Sequence, residues 1–307
     1  MYFTRRNLLQ GLLSISLTSC LGSFEVVRLH DAPRYETYHS SEDIPKINFA
    51  HLNAADLRGN TPNIFQFISE EEARDHARWL ADFFLEHKID AINFNEVDYA
   101  GTIKTGGLDQ PKVIAEFMGK PYDYVIFDQY MKSPLWTTGN AMISRFPIKA
   151  LHRHLYGETG DILDNRLDHF FKDFIHVELK VGDRKLQVFY THLDDGEEEY
   201  EFRKRAEVKE LITHLREFVE KEPRSYIVVA GDFNFSRSSR LMKNLLADGI
   251  LHPPATNFGL KTYPSDAPAE DLDHILASHN IAINNYRTFH FPWSDHLGLL
   301  CELEFLD

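Results

Sequence analysis

The pattern of apolar and polar residues predicts buried strands that end in polar side chains. Residues 226–230 form a short continuous apolar run, which is typical of a strand buried on both faces, and Asp232 and Asn234 follow it. Because side chains two positions apart on a strand point to one side, Asp232 and Asn234 are predicted to lie together at the strand end. A strand that runs into an Asx turn would give the same pattern, so this stretch alone leaves both interpretations open.

Two longer segments repeat the order strand, helix, strand. The first has predicted strands at 44–52 and 89–97 and a helix at 70–88 whose apolar residues recur at helical spacing. The second has a hairpin over 174–190, a charged helix at 197–221 and then the strand that starts at residue 226. Polar residues close these strands: Asn53, Glu96, His192 and Asp232. Two such units predict two sheets packed face to face, with helices outside and ligands beyond the strand ends.

The remaining predicted elements complete one domain. They are a helix at 111–118 and strands at 123–128, 139–148, 271–276 and 298–305. Residues 152–172 are irregular and rich in His, Asp and aromatic residues, which favours a loop that faces substrate. No Pro/Gly/Ser-rich linker divides the chain after residue 44, so we predict one domain over 44–307, preceded by a tether over 20–43.

The N-terminus has the pattern of an export signal. Arg5 and Arg6 precede an apolar run that is too short to span a bilayer, and the run ends in Leu-Thr-Ser-Cys at Cys20. These parts resemble a twin-arginine signal and a bacterial lipobox, which implies a signal peptide over 1–19 and lipidation of Cys20. A chance apolar helix with an incidental cysteine is the alternative. We expect an exported protein held in the bacterial cell envelope through its N-terminal lipid only, on the periplasmic side or at the cell surface.

Composition and charge narrow the possible partners. The 307 residues are 43% hydrophobic and 26% charged, with a formal net charge of −14. An acidic protein gains nothing from general attraction to nucleic acid, which counts against a processive nucleic-acid binder. A bound divalent cation can reverse the local field, so a phosphodiesterase is not excluded. The two cysteines suggest no disulfide framework, Cys301 is expected to be buried, and we expect a monomer.

Short motifs that carry polar residues recur along the chain in a fixed order. They are Asn53, Asn95-Glu96, Gly139-Asn140 to Phe146-Pro147, Thr191-His192-Leu193, Gly231-Asp232-Phe233-Asn234, Asp271-Leu272-Asp273-His274 and Ser294-Asp295-His296. Each alone is weak evidence, because the chain has 16 histidines. Together they resemble the blocks of the endonuclease/exonuclease/phosphatase superfamily, metal-dependent phosphoesterases that include pancreatic deoxyribonuclease and neutral sphingomyelinases. Asn95 departs from the glutamine that the family usually has before the glutamate.

The resemblance implies a fold and a metal. The fold would be a four-layer α/β sandwich similar to deoxyribonuclease, in which two packed mixed β-sheets are flanked by helices. The metal would be Mg²⁺ or Mn²⁺, with Glu96 as the main ligand and Asn53 and Asp295 in support. Carboxylate and amide oxygens are ligands that these cations prefer. The sequence has no cluster of Cys or His residues that would indicate a zinc site.

The resemblance also implies roles for the other polar residues. Asp232 would orient or deprotonate the attacking water, and Asn234 would hold a phosphate oxygen. His192 and His296 would contact the phosphate, and Asp273 would bond His296 and raise its basicity. Asn140 would support the site.

Function is therefore expected to be metal-dependent hydrolysis of a phosphate ester, most simply a phosphodiester. A non-catalytic surface binding protein that kept the fold is the alternative. The sequence leaves the substrate open among nucleic acid, phospholipid or sphingomyelin, and inositol or nucleotide phosphates. A nuclease would need basic residues on the rim of the site and a lipid-cleaving enzyme would need exposed aromatics. Both occur in one irregular stretch, at Arg153, Arg166, Phe170 and Phe171.

Overall fold

The computed structural model describes residues 24–59, 67–99, 103–132, 137–155, 173–194 and 201–306. The strands in these residues are β1 Phe24–Arg28, β2 Lys46–Asn53, β3 Ala91–Val97, β4 Tyr124–Lys132, β5 Thr137–Ser144, β6 Ile148–Leu155, β7 Asp173–Val181, β8 Arg184–His192, β9 Tyr226–Asp232, β10 Leu251–His252, β11 Asp273–Ser278, β12 Ile281–Phe289 and β13 Gly298–Phe305. The α-helices in them are α1 Glu70–Glu86, α2 Gln110–Met118, α3 Glu201–Lys221 and α4 Arg240–Leu246, with short 3₁₀ turns at Tyr35–Thr37 and Ala55–Leu57.

The strands form two mixed sheets over the described part of the chain. The first has seven strands in the order β1-β4-β5-β3-β2-β13-β12, and the second has six in the order β10-β11-β9-β8-β7-β6. Each sheet contains one parallel pair, β2 with β3 and β8 with β9, and the other neighbours are antiparallel. Because α1 lies between β2 and β3 in the chain, and α3 between β8 and β9, the two predicted strand-helix-strand units are confirmed.

The helices cover the outer faces of the two sheets. Apolar residues of α1 and α2 pack with outward-facing residues of the first sheet, such as Leu52 and Phe94. Those of α3 and α4 pack with outward-facing residues of the second sheet, such as Val229. A third cluster fills the space between the sheets. The layers therefore run helix, sheet, sheet, helix, and the predicted four-layer sandwich is confirmed.

Local sequence determines where α1 begins. The Ser69 hydroxyl accepts a hydrogen bond from the Glu72 backbone N–H at 3.1 Å, and the Glu72 carboxylate accepts one from the Ser69 backbone N–H at 2.8 Å. This reciprocal capping box satisfies two backbone donors at the helix start. The acidic residues 70–72 also favour a helix N-terminus through the helix dipole. The prediction of a helix at 70–88 is confirmed, with the end two residues earlier than expected.

Part of the segment predicted as a polar tether, 20–43, packs on the first sheet. Phe24–Arg28 is the edge strand β1 and pairs with β4, while Leu29 and Ala32 are buried. The sequence did not predict this strand because the segment is rich in charged residues. As an edge strand, it is hydrogen-bonded along one side only, to β4. Arg5, Arg6 and Cys20 lie outside the described residues. Among the described helices, none has the length and apolar character that crossing a membrane requires.

Two other segments differ from the sequence prediction. Residues 139–148, expected to begin one strand, belong to two strands, β5 and β6, separated by a bend that contains Pro147. Residues 152–155 of the expected irregular stretch continue β6, while 156–172 lie outside the described residues. The short elements α4 and β10 and the long strand β12 were not anticipated. The first two are too short to give a clear period.

Buried histidines between the second sheet and α3 should make stability depend on pH. His176 donates Nε2–H to the Gln187 side-chain oxygen at 2.9 Å and stacks on Phe189 with ring centroids 3.9 Å apart. Burial lowers the pKa of His176, and that of His214 on α3, from 6.5 to about 4. A histidine whose pKa falls on folding resists protonation in the native state, so stability is complete above pH 6.5 and is lost as the pH falls toward 4.

We expect His176 alone to lower the free energy of unfolding by about 3 kcal/mol between pH 7 and pH 4. Urea unfolding at both pH values, for the wild type and for His176→Phe, measures this contribution. Phenylalanine keeps the stacking partner of Phe189 and cannot titrate, so the variant should lose less stability on acidification. An equal loss in both proteins would contradict the assignment.

Candidate active site

The inward-facing positions of both sheets change from apolar to polar toward one end of the sandwich. On β2, Phe49 belongs to the inter-sheet core, and His51 and Asn53 follow at a spacing of two. On β9, Ala230 belongs to the same core and Asp232 follows it. Other strands place polar residues at the same end, namely Asn93 and Asn95 of β3, Asp128 of β4, Asn140 of β5, Asp173 of β7, His192 of β8 and Asp273 of β11. The candidate site is therefore the polar end of the inter-sheet core.

A β-bulge brings Glu96 into this site. The pairing of β3 with β5 shifts register between Phe94 and Val97, and Glu96 has a φ of 51°. By simple alternation Glu96 would face the helices, but a bulge with a left-handed residue re-aims the side chain. One Glu96 carboxylate oxygen consequently lies 3.4 Å from the amide nitrogen of Asn53 and 3.8 Å from Nε2 of His192.

Asp232 lies at the centre of the cluster and is almost completely buried. Its Oδ1 accepts a hydrogen bond from the backbone N–H of Asn234 at 2.9 Å, and its Oδ2 accepts one from the Asn53 amide at 3.0 Å. Two imidazole nitrogens approach the same Oδ2, Nε2 of His192 at 3.7 Å and Nε2 of His296 at 3.8 Å. Oδ2 of Asp232 therefore lies close to the Asn53 amide and to the imidazoles of His192 and His296.

His296 is held in one orientation by Asp273. The Nδ1–H of His296 donates to Asp273 Oδ2 at 2.8 Å. Burial by itself would lower the pKa of His296, but the charges of Asp273 and Asp232 outweigh it and raise that pKa to about 10. Burial would likewise raise the pKa of Asp273, but His296 and a hydrogen bond from His51 hold it far below its usual range. At neutral pH the pair is an ion pair, and the Nε2–H of His296 points toward Asp232.

A series of hydrogen-bonded side-chain amides connects the backbone of Asp232 to Asp173. The backbone N–H of Asp232 donates to Asn95 Oδ1 at 2.9 Å, and the Asn95 amide donates to Asn140 Oδ1 at 2.6 Å. Asn140 in turn donates to Asp173 Oδ1 at 2.5 Å. Burial and the neighbouring Asp128 carboxylate raise the pKa of Asp173 well above its usual range. Asn140, predicted to support the site, thus contacts Asn95 and Asp173, and its supporting role stays a prediction.

Arg153 does not form a basic rim. Its Nε lies 2.6 Å from Asp128 Oδ1 and 3.8 Å from Asp173 Oδ2, and the side chain is largely buried. The guanidinium pairs with the buried Asp128 carboxylate and lies beside Asp173 instead of meeting solvent. The other candidate rim residues lie outside the described residues: Arg166, Phe170 and Phe171.

The structure also places Asn234 and Asp295, two further predicted site residues. Asn234 has a left-handed backbone with a φ of 52°, and its amide donates to the Leu193 carbonyl at 2.9 Å. Asp295 is half-buried beside His296, and its charge helps to raise the pKa of His296. The roles of both residues stay predictions.

The sequence analysis missed His51 and Asn93, which complete the buried side of the site. The signal was present in the alternation, because His51 lies two positions before Asn53 and Asn93 lies two positions before Asn95. Both positions therefore share the strand face of a predicted site residue. The same rule could have found Asp128 and Asp173, because Asp128 follows the inward-facing apolar residues of β4 and Asp173 precedes those of β7.

The donor set fits an oxygen-preferring divalent cation. One combination of side chains, Asp232, Asp273 and His296, places its ligand atoms within 4.8 Å of one another. Both oxygens of Asp273, however, already accept hydrogen bonds from histidines, and Asp273 is fully buried. Glu96 keeps 24% of its side chain exposed and lies against Asn53 at the open side of Asp232. We therefore favour Glu96 as the principal ligand.

The Asn53 amide fits this role after one rotation. Its nitrogen faces the carboxylates, while its oxygen accepts a hydrogen bond from the Ala55 backbone N–H at 3.2 Å. A half turn of the amide would present the oxygen, which is the atom that a hard cation prefers.

Comparison with known proteins identifies relatives for most of the chain. A family model described as Endonuclease/Exonuclease/phosphatase family matches residues 63–296. No curated protein matches the sequence.

Solved structures of low sequence identity share the fold. An endonuclease/exonuclease/phosphatase from Beutenbergia cavernae superposes with a TM-score of 0.63 at 17% identity, over 86% of this chain and 72% of that one. The human Nocturnin catalytic domain with bound sulfate gives 0.60 at 18% identity, over 92% and 97%. A mannosyl-6-phosphatase from Bacteroides thetaiotaomicron gives 0.57 at 15% identity, over 84% and 100%.

Proposed function

The chain belongs to the endonuclease/exonuclease/phosphatase family, and on that basis we propose that it is a divalent-metal-dependent phosphodiesterase. One observation carries the proposal. The Asn53 amide and the imidazoles of His192 and His296 converge on a single oxygen of Asp232 at the polar end of the sheet sandwich, and Glu96 lies beside Asn53 and His192. A carboxylate, an amide and two imidazoles around one point are the groups that hydrolysis of a phosphate ester needs.

The described side chains divide the chemistry between them. Asp232 orients the attacking water and accepts its proton, because Oδ2 faces the interior of the site. His296, charged at neutral pH, and His192 donate hydrogen bonds to phosphate oxygens, where negative charge grows during the reaction. Asn234 holds a further oxygen. Bound Mg²⁺ or Mn²⁺ would supply stabilisation of charge on the phosphoryl and leaving oxygens.

The state of Arg153 favours a diester over a monoester. Near neutral pH a phosphate monoester carries close to two negative charges, whereas a diester carries one. The positive charge of Arg153 is already paired with the Asp128 carboxylate before any substrate arrives. A site without a spare arginine at this position suits the less charged ester.

A substrate panel tests the proposal. Protein purified without its first 19 residues would be incubated with Mg²⁺ or Mn²⁺ and with single- and double-stranded DNA, RNA, sphingomyelin, phosphatidylcholine, inositol phosphates and a simple aryl diester and monoester. We expect turnover of one class of diester above the monoester rate. Faster hydrolysis of the monoesters would reverse the diester assignment. Binding of a ligand without turnover under any metal would instead support the alternative, a non-catalytic surface binding protein.

We also propose that the protein acts outside the cytoplasm, anchored to the bacterial cell envelope by a lipid on Cys20. The order of Arg5-Arg6, apolar run and Leu-Thr-Ser-Cys supports this. The first strand of the domain begins at Phe24, only four residues after Cys20. The lipid would therefore hold the edge strand β1 close to the membrane surface.

Replacing Cys20 by alanine is expected to abolish membrane fractionation and leave the unprocessed or soluble form. Metabolic labelling with a fatty-acid analogue, followed by fractionation of wild type and Cys20→Ala, measures this. Cys301→Ala is the matched control, because that cysteine is buried in β13 and should not be labelled. Unchanged labelling and fractionation of Cys20→Ala would contradict the lipid anchor.

A further inference from the structure

A buried pair of side chains, His51 and Asn93, lies directly behind Asp273. Nε2 of His51 is 2.8 Å from Asp273 Oδ1, and the Asn93 amide nitrogen is 2.9 Å from His51 Nδ1. His51 and Asn93 are fully buried, as is the Asp273 carboxylate. His51 comes from β2 of the first sheet and Asp273 from β11 of the second, so the contact crosses the sandwich.

The hydrogen bonds fix the tautomer of His51. The Asn93 amide nitrogen can only donate, so Nδ1 of His51 must present its lone pair. In the neutral imidazole the proton is then on Nε2, which donates to Asp273 Oδ1. Asp273 consequently receives one N–H on each oxygen, from His51 on Oδ1 and from His296 on Oδ2.

We propose that His51 is a positioning residue of the active site, which acts through Asp273 and His296 and which Asn93 holds in its donating tautomer. This inference rests on the proposed function, because it assigns a role in the same reaction. A carboxylate that accepts only one hydrogen bond can rotate about its terminal torsion. The second bond from His51 locks the plane of Asp273 and thereby the direction in which His296 Nε2 faces the site.

A histidine at position 51 is not needed to fill the core, so a purely structural role does not explain it. Its neighbours at inward-facing positions of β2, Ile47 and Phe49, are apolar and fill the same core. An apolar residue at position 51 would pack there without an unpaired polar atom, whereas a histidine needs two partners. The chain supplies both partners, and one of them is the carboxylate that orients His296.

Two amide substitutions separate the two hydrogen bonds of His51. In His51→Gln the amide nitrogen can occupy the place of Nε2 and donate to Asp273. In His51→Asn the shorter amide can occupy the place of Nδ1, so its oxygen meets Asn93 and no donor reaches Asp273. We expect His51→Asn to lower kcat on the order of 10-fold with little change in KM, and His51→Gln to keep most of the wild-type kcat.

Thermal unfolding and a matched pair of variants control for stability. His176→Gln and His176→Asn make the same changes at a buried histidine on the outer side of the second sheet, remote from the site. They should change the melting temperature without separating in kcat. If His51→Gln and His51→Asn lost kcat equally, or if the loss followed the melting temperature across all four variants, the positioning role would be refuted.

Nitrogen NMR of the wild-type protein decides the same question without turnover. At neutral pH the His51 ring should show a protonated Nε2 and an unprotonated Nδ1. The Nδ1–H proton of His296, bonded to Asp273, should move in His51→Asn and stay near its wild-type position in His51→Gln. A neutral His51 ring protonated on Nδ1 and not on Nε2 would turn a lone pair toward Asp273 and overturn the inference. The spectra test the role of His51 even if the protein hydrolyses none of the esters. That lack of turnover would refute the proposed function and not the hydrogen-bond arrangement.

Discussion

Replacement of Asp232 by asparagine should lower turnover by about 10²–10⁴-fold while the protein stays folded. At 1.36 kcal/mol per decade, this is about 3–5 kcal/mol at the barrier. The amide of asparagine is a poor base, so it cannot take the proton of the attacking water. It also places an N–H or a neutral oxygen where two imidazoles and Asn53 now meet a negative charge. Raising the metal concentration should not restore the rate.

The measurement is kcat at saturating metal, with thermal unfolding of the same preparations. Asp248→Asn is the matched control, because Asp248 forms an ion pair with Arg216 on the surface and lies away from the site. We expect that control to keep wild-type turnover. An Asp232→Asn protein that is folded and turns over near the wild-type rate would remove Asp232 from the centre of the reaction.

Substitution of Asp232 and removal of His296 should have different effects on the stability of the protein. Asp232→Asn keeps an oxygen for the backbone N–H of Asn234 and removes one charge from an acidic cluster, so the fold should tolerate it. Removal of His296 is different, because it leaves the fully buried Asp273 carboxylate with His51 as its remaining histidine donor. Breaking one partner of a buried ion pair typically costs about 3–5 kcal/mol. We therefore expect removal of His296 to lower the stability of the protein as well as its turnover.

Much of this architecture could be predicted because it follows from periodicity. Strands with alternating or continuous apolar residues were located to within a few residues, and the two parallel pairs followed from the helices between their strands. The failures have physical causes. Edge strand β1 is short and carries charged residues, and it is stable only because β4 offers a paired edge. Nothing in the local sequence reports such long-range pairing.

The site was predictable at the level of residues but not of hydrogen bonds. The ends of predicted strands named Asn53, His192 and Asp232 correctly as neighbours. The bulge that turns Glu96 toward these residues could not be predicted from the local sequence, because it depends on a register shift between β3 and β5. The partners of Asp273 could not be paired from sequence, because His51 belongs to the other sheet and lies 222 residues away along the chain.

Metal removal should abolish activity, and Glu96→Gln should shift the metal dependence rather than the chemistry. Glutamine has the size of glutamate and can stay beside Asn53 and His192, but it lacks the charge that attracts a divalent cation. Loss of even a group that only supports a ligand typically costs about 10–100-fold in metal affinity or activity. We therefore expect the half-saturating Mg²⁺ or Mn²⁺ concentration to rise at least about 10-fold, with partial recovery of rate at high metal.

The metal titration also distinguishes the two possible ligand sets. Metal-stripped wild type, Glu96→Gln and Asp273→Asn would be assayed over a range of Mn²⁺, with Glu217→Gln on the exposed face of α3 as control. If the cation lies against Glu96 and Asp232, Glu96→Gln shifts the metal curve most. Asp273→Asn then lowers the plateau by less than Asp232→Asn does, because it disturbs the orientation of His296 without removing the ring. If the cation instead occupies Asp232, Asp273 and His296, Asp273→Asn shifts the curve most and the favoured ligand set is wrong. Full turnover in excess chelator would exclude both sets, because the remaining groups would then have to stabilise the charge on the phosphoryl oxygens without a cation.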